Sequence, residues 1–442
     1  MSKIVILGNG IAGITAARHI RKASSDSITV ISGESEHFFS RTALMYVYMG
    51  HMNYENTKPY ENWFWKKNDI DLLQAWVKSI DFDSKKLITV DSQEIPYDKL
   101  ILATGSQSNK FDWPGQDLNG VQSLYNLQDL ELMESNTKNI RNAVIVGGGL
   151  IGVEMAEMLH SRGIHVTYLI RETHFWGNVL PAQEGALIDR HLAEHGIDLQ
   201  KETELAEILD DGTGKVKGIK TKSGELIDCQ FVGLTVGVRP NIDFLKETKL
   251  EIDRGILVDE YLATNIPDVY AIGDCVQLRS APSHRRAIEA VWYVGRMMGE
   301  TLAKTITGSP TKYQPGYWFN SAKFFDIEYQ TYGSVPSVLS DNQGSFYWES
   351  TDGKKCIHVV YETGNKKVLG INTFGIRMRH EVWDKWLNQT KTLSYVIENL
   401  PEANFDPEFF KRFEPEIQLQ YNSEFGENIQ ISKPTFFQKL FN

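Results

Sequence analysis

Lys3-Ile-Val-Ile-Leu-Gly-Asn-Gly-Ile-Ala-Gly-Ile-Thr-Ala-Ala-Arg-His-Ile20 is the stretch on which the fold turns. Ile4 to Leu7 is a short unbroken apolar run, as a strand covered on both faces requires. Gly8, Gly10 and Gly13 then fall at GxGxxG spacing and open a helical segment. The first glycine permits a tight turn, the second lets backbone approach a pyrophosphate, and the third lets helix and strand pack closely. N–H groups left unpaired at the helix start, with Ile11 and Ala12 in that first turn, face the phosphates, and the helix dipole favours their charge. Glu34 follows Gly13 by about the 20 residues expected of an acid that accepts ribose hydroxyls, just past a second strand at Ile28–Ile31. The stretch reads as a dinucleotide clamp.

One such match is weak support, because 35 glycines in 442 residues give GxGxxG by chance roughly 0.2 times per chain. The pattern returns, however. Val144–Val146 is a second apolar strand, Gly147, Gly149 and Gly152 repeat the spacing, and Leu150 and Ile151 lead into a helix through Arg162. His165–Ile170 completes another strand–helix–strand unit. An internal repeat at domain scale raises the odds sharply and predicts two dinucleotides on one chain.

Between and beyond the repeats, the pattern predicts a helical segment from Thr42, an irregular excursion over Asn53–Asn68, strands at Gln74–Ile80 and Lys86–Val90, and a buried strand from Tyr97 ending in Ala103-Thr104-Gly105. It further predicts strands at Val232–Val238 and before Asp274, and a helix over Ala287–Thr305. From about Pro310 the composition shifts to aromatic, alternating runs at Ser321–Gly333, Ser345–Glu349 and Cys356–Tyr361, then a helix over Arg379–Leu387. The expected class is α/β: two Rossmann-like dinucleotide-binding domains, three-layered and one inserted into the other, plus a C-terminal α+β interface domain. The boundaries are 1–112 with 248–312, 113–247, and 313–442.

A formal charge of −11 and a pI near 5.6 argue against a nucleic-acid or anionic-membrane surface binder. No apolar run approaches the roughly 18 residues of a spanning helix, and no basic leader precedes the first strand. Cys229, Cys275 and Cys356 form neither a CxxC nor a metal-ligand pattern, and no metal is expected. These features point to a cytoplasmic chain.

Taken together, Gly8-Asn-Gly-Ile-Ala-Gly13, Ala103-Thr104-Gly105, Gly147-Gly-Gly-Leu-Ile-Gly-Val-Glu154, Gly237-Val-Arg-Pro-Asn241 and Ile266-Pro-Asp-Val-Tyr-Ala-Ile-Gly273-Asp274 resemble, in sequence and order, the FAD-dependent pyridine-nucleotide oxidoreductases. The resemblance covers roughly residues 1–335. It implies that the first glycine unit with Gly273 and Asp274 holds FAD, that the second unit holds NAD(P)H, and that Ala103, Thr104 and Gly105 lie near the flavin pyrophosphate. It also implies that Asp274 bonds the ribitol chain and that Val77 offers backbone to adenine. Disulfide reductases of this superfamily carry redox cysteines near residue 42, whereas here the segment is Ser40-Arg-Thr-Ala43 and no cysteine precedes Cys229. Phe39-Ser-Arg41-Thr-Ala-Leu44 instead resembles a segment of nitrite reductase flavin domains, rubredoxin and ferredoxin reductases and apoptosis-inducing factor. Several of these place a lysine after that leucine, paired with the glutamate matching Glu154; Met45 and Tyr46 stand there in this chain.

The implied reaction is hydride transfer from the nicotinamide to flavin N5, then passage of electrons to an electron-carrier protein of ferredoxin or rubredoxin type or to a small acceptor. An NADH oxidase or quinone reductase is the rival within the same chemistry, and a redox sensor with NADH-linked dimerisation is the rival outside it. Arg41 either stabilises reduced flavin or phosphate, or is a surface arginine paired with an acid. Glu154 either borders the nicotinamide or complements the helix dipole. Glu172 favours NADH, matching Glu34 when the units are superimposed, while Arg171 favours a 2′-phosphate; the balance leans to NADH. The C-terminal part is expected to form a dimer face, and the tail Lys433–Asn442 to complete it or to act as an anchor.

Overall fold

In the computed structural model of the chain, which describes residues 1–405 and 412–432, the opening apolar run is β1 (Lys3–Leu7), followed by α1 (Ile11–Ala23) and β2 (Ser27–Ser32). β3 (Ile70–Gln74) and β4 (Lys99–Leu102) join them in one parallel sheet. The second repeat builds β5 (Asn142–Val146), α2 (Leu150–Ser161) and β6 (His165–Leu169), with β7 (Phe231–Leu234) on the other side of β5. The chain then returns to the first sheet with β8 (Val269–Ala271), beside β4, and closes over it with α4 (Trp292–Ile306). The first sheet therefore runs β8-β4-β1-β2-β3, and the second unit is inserted between β4 and β8. Both central strands, β1 and β5, are buried after their first residue, as parallel strands covered by helices must be.

The expected strand Gln74–Ile80 is two. β3 ends at Gln74, Ala75 donates back to Ser32, and Val77–Asp81 starts an antiparallel sheet with Lys86–Thr89 and Glu94–Pro96. The helical segment expected from Thr42 is short, a 3-10 turn at Arg41–Ala43 and a helix at Leu44–Tyr48. The excursion after it holds a turn at Tyr54–Thr57 and a helix at Trp63–Lys67. α4 begins at Trp292 rather than Ala287.

Contacts divide the chain into two compact units: Met1–Leu169 with Thr203–Pro315, and Ile170–Glu202 with the segment from Gly316 onward. The second unit is an antiparallel sheet in the order Phe319–Phe324, Ile327–Gly333, Val368–Phe374, Cys356–Glu362, Gln343–Glu349. Helices His380–Asn388, Leu393–Glu398 and Glu414–Phe425 cover one face, where Ile357, Val359 and Ile371 pack with Trp383, Trp386 and Ile397. On the opposite face, His358 and its cross-strand neighbour Asn372 meet Glu184 of α3 (Ala182–Glu194), at 3.0 and 2.8 Å. Covering both faces explains why this sheet's inner strands are buried almost throughout. Among the described residues no helix is long and apolar enough to cross a membrane. The tail Lys433–Asn442 lies outside the described residues.

Candidate dinucleotide sites

Each glycine of the first turn does a separate task. Gly8 has φ +117°, and a Cβ there would stand 2.0 Å from the Ala103 carbonyl oxygen; one on Gly13 would stand 2.0 Å from the Gly8 carbonyl oxygen. Gly10 meets nothing within 4 Å. Two glycines thus hold strand, turn and helix in contact while the third leaves open space. α1 opens there with no side-chain cap and no acid in its first turn, so its N–H groups face that space. Those features fit a pyrophosphate.

The second turn has the same plan. Gly147 has φ +113° and a Cβ position 2.6 Å from the Thr235 carbonyl oxygen. Gly149 is open, and a Cβ on Gly152 would meet the Tyr168 hydroxyl at 2.3 Å and the Gly147 carbonyl oxygen at 2.5 Å. Leu150 and Ile151 form the uncapped first turn of α2, and Glu154 lies partly exposed on the next. The Thr235 hydroxyl donates to the Val146 carbonyl at 2.9 Å, and Tyr168 donates to Gly147 at 3.0 Å, which pins the turn from behind.

A further repeat joins the two sites. Strand Ser106–Ser108 pairs antiparallel with Val238–Pro240, each directly after a glycine of positive φ, Gly105 (+68°) and Gly237 (+88°). Asn109 N–H donates to Gly237 at 3.0 Å, and Asn241 N–H donates to Gly105 at 2.9 Å. Their side chains donate to Val236 and Thr104 at 3.3 and 3.4 Å. The signal for this pseudo-symmetry was in the sequence, as Gly105-Ser-Gln-Ser-Asn109 against Gly237-Val-Arg-Pro-Asn241.

Around the first turn the predicted residues converge. A Cβ on Gly273 (φ +79°) would stand 2.9 Å from Ala12 Cβ, which sets Gly273 and Asp274 against the start of α1. Asp274 accepts from the Ser106 hydroxyl at 3.2 Å and from Tyr125 at 3.5 Å, and burial holds its carboxyl above the usual range. Thr104 donates to the Asn241 carbonyl at 2.8 Å. Glu34 and Arg41 form one bidentate pair, at 2.8 and 2.6 Å. Glu34 also accepts from Leu127 N–H at 3.0 Å, and Arg41 donates to the Tyr125 carbonyl at 2.6 Å and lies 4.6 Å over its ring. Burial opposes the charge on Arg41, but the bonds from Glu34 outweigh it, and the guanidinium stays protonated. Tyr125 links the whole set: its hydroxyl accepts from Ser106 N–H at 2.9 Å, and burial pushes it up to about 12. Sequence reasoning missed Tyr125; the capping box Asn126/Asp129 that starts the helix Leu127–Asn136 was the available signal. Val77 follows Trp76, whose indole lies where a Cβ on Gly33 would be. Arg171 and Glu172 belong to the second unit and pair with each other at 3.1 Å, Arg171 being largely exposed.

A family model described as pyridine nucleotide-disulphide oxidoreductase matches residues 2–299. The chain belongs to that family. Membership brings FAD and NAD(P)H as the family's two nucleotides, in line with the two turns. Nitrite reductase [NAD(P)H] of Bacillus subtilis is 31% identical over 320 residues, 70% of this chain; the chain spans only 38% of that relative's length. Rhodocoxin reductase of Rhodococcus erythropolis is 30% identical over 332 residues, 73% of this chain and 76% of the relative. Among solved structures, a ferredoxin reductase for the CYP199A2 system of Rhodopseudomonas palustris superposes with a TM-score of 0.77 at 24% identity, covering 85% of this chain and 91% of that one.

Proposed function

We propose that this chain is an FAD-dependent NAD(P)H oxidoreductase that delivers electrons to a carrier protein or small acceptor without a redox-active disulfide. The observation that carries the reading is the duplicated turn, in which Gly8, Gly10 and Gly13 and then Gly147, Gly149 and Gly152 leave the same open cradle at a helix start. When bound, the flavin supplies the hydride-accepting and electron-donating chemistry. The chain's own residues bind and orient. Gly10, Ile11, Ala12 and Gly13 present N–H groups to the FAD pyrophosphate, Asp274 and Gly273 receive the ribitol, and the Glu34–Arg41 pair holds the adenosine side, with Val77 beside it. Ala103, Thr104 and Gly105 would lie near the flavin pyrophosphate. Gly147, Gly149, Leu150, Ile151, Gly152 and Gly237 receive NAD(P)H, Glu154 borders its nicotinamide, and Glu172 with Arg171 selects the coenzyme.

Cysteine chemistry is disfavoured by position. Cys229, Cys275 and Cys356 are all buried, and burial pushes the first two thiols up to about 12 and about 11. None offers a thiolate at neutral pH. The carrier is of ferredoxin or rubredoxin type, in keeping with a relative named rubredoxin-NAD(+) reductase. The enzyme is read as cytoplasmic and homodimeric, with FAD bound by 1–112 and 248–312, NAD(P)H by 113–247, and the dimer face on 313–442.

Anaerobic stopped-flow mixing of the yellow protein with NADH and NADPH tests this. Rapid bleaching near 450 nm, an isotopic or kinetic preference for NADH, and reoxidation by ferredoxin or rubredoxin are expected. Fast oxygen uptake without a carrier would make it an oxidase. Slow bleaching with a long-lived reduced complex and a changed oligomeric state would make it a sensor.

A further inference from the structure

α3 carries a cluster that the dinucleotide chemistry leaves unused. His191 and His195 are four residues apart, so both rings leave the same helix face, and their centroids are 4.5 Å apart. Asp326, at the turn joining Phe319–Phe324 to Ile327–Gly333, brings Oδ1 to 2.6 Å from His191 Nε2 and 3.4 Å from His195 Nε2. One ligand atom from each of the three lies within 4.8 Å of the other two.

The tautomers suit ligation. His195 Nδ1 is 2.9 Å from the His191 carbonyl oxygen, and donating there fixes the ring and leaves its Nε2 lone pair toward Asp326. His191 is 2% exposed, yet neither ring nitrogen has an aligned hydrogen-bond partner. The carboxylate oxygen is thus close to His191 Nε2 but off the direction an N–H would take. A cation on the lone-pair axis resolves that, because it meets nitrogen and oxygen from different directions. Bonds of about 2.0–2.1 Å in a tetrahedral site put ligand atoms about 3.3 Å apart. The His195 edge has that length already. The shorter one opens by moving Asp326, which is 64% exposed at its hairpin tip. Behind the ring, Glu194 lies 3.9 Å from His191 Nδ1 and pairs with Lys354 at 3.2 Å.

We infer that His191, His195 and Asp326 form a site for a divalent transition ion, zinc by preference, which fastens α3 to the Phe319–Gly333 hairpin. Two imidazoles and one carboxylate select against magnesium and calcium, which demand oxygen ligands, and a water fills the fourth position. The ion is structural and takes no part in electron transfer.

The test uses the full-length, flavin-loaded protein, stripped with a chelator and dialysed against graded zinc sulfate, with metal per chain read by mass spectrometry. One zinc per chain is expected, with a zinc-dependent rise in Tm that magnesium chloride does not reproduce. His195→Ala and Asp326→Asn should each weaken uptake by at least about tenfold and abolish the rise in Tm, while flavin content is unchanged. Asp326→Asn alters an exposed hairpin residue and keeps the fold intact. Wild-type uptake no greater than that of His195→Ala and Asp326→Asn, or an equal zinc-dependent Tm rise in those variants, overturns the proposal.

Discussion

The two glycine turns are built alike but packed differently. On the first, α4 crosses α1: a Cβ on Gly295 would stand 3.2 Å from Ile11, one on Gly299 2.6 Å from the Ala12 carbonyl, and Gly273 abuts Ala12. A second layer, with Asp274, Tyr125, Arg41 and Glu34 linked by hydrogen bonds, stands around that cradle. On the second, Gly147 and Gly152 are backed by Thr235 and Tyr168, and α2 packs against the short helix Leu44–Tyr48. Many converging groups favour a resident prosthetic group, whereas a bare helix start favours a ligand that binds, reacts and leaves. On the proposed function, one motif would serve retention in one place and turnover in the other.

The largest effects should come from filling the contact glycines. Gly13→Ala forces a Cβ onto backbone that cannot yield, at a cost of about 3 kcal/mol or more, and should give colourless protein with a much lower Tm. Gly152→Ala meets the Tyr168 hydroxyl and the Gly147 carbonyl; it should lose NAD(P)H-driven bleaching while keeping its flavin, which spectra and coenzyme titration will separate. If both variants lose flavin equally, the contrast between the turns fails.

Smaller, and confined to the first site, is the charge pair. Arg41→Ala leaves Glu34 with Leu127 N–H alone, and loss of a charge-assisted bond of about 1.5–3 kcal/mol should weaken FAD retention at least tenfold in dialysis, with little change in the affinity for NAD(P)H. Asp274 supplies a pH test. Its folded pKa lies above the ordinary 3.8, so its stabilising contribution is complete below that value and is lost as pH rises through the folded pKa. Flavin-free Asp274→Asn should therefore gain stability relative to wild type between acid and neutral pH in urea unfolding; parallel pH profiles would contradict this. Least of all, Glu172→Ala should shift the NADH to NADPH preference by no more than about tenfold, since a pair with the largely exposed Arg171 contributes about 1 kcal/mol or less.

Much of this was legible because glycine spacing and buried strand runs are local signals. The Gly8 and Gly147 units, and the return of the chain to the first sheet near Asp274, follow from patterns only a few residues long. What escaped depends on contacts distant in sequence. Arg41 read either as a flavin or phosphate ligand or as an arginine paired with an unnamed acid, and only the fold shows that the acid is Glu34. Gln74–Ile80 read as one strand because its apolar run is nearly continuous, but Trp76 leaves the sheet to cover Gly33. α3 went unread, and nothing in its local pattern says that it packs on the sheet formed after Gly316, where His191 and His195 meet Asp326.

The central claim is most directly tested by crossing Gly10→Ala with Gly149→Ala. Neither added methyl meets a protein atom within 4 Å, so both chains should fold, and flavin per chain and the rate of bleaching by NADH can be read on each. Depleted flavin in Gly10→Ala, with full flavin but at least about tenfold slower bleaching at low NADH in Gly149→Ala, is the predicted result. Full flavin and wild-type bleaching in both variants would contradict it.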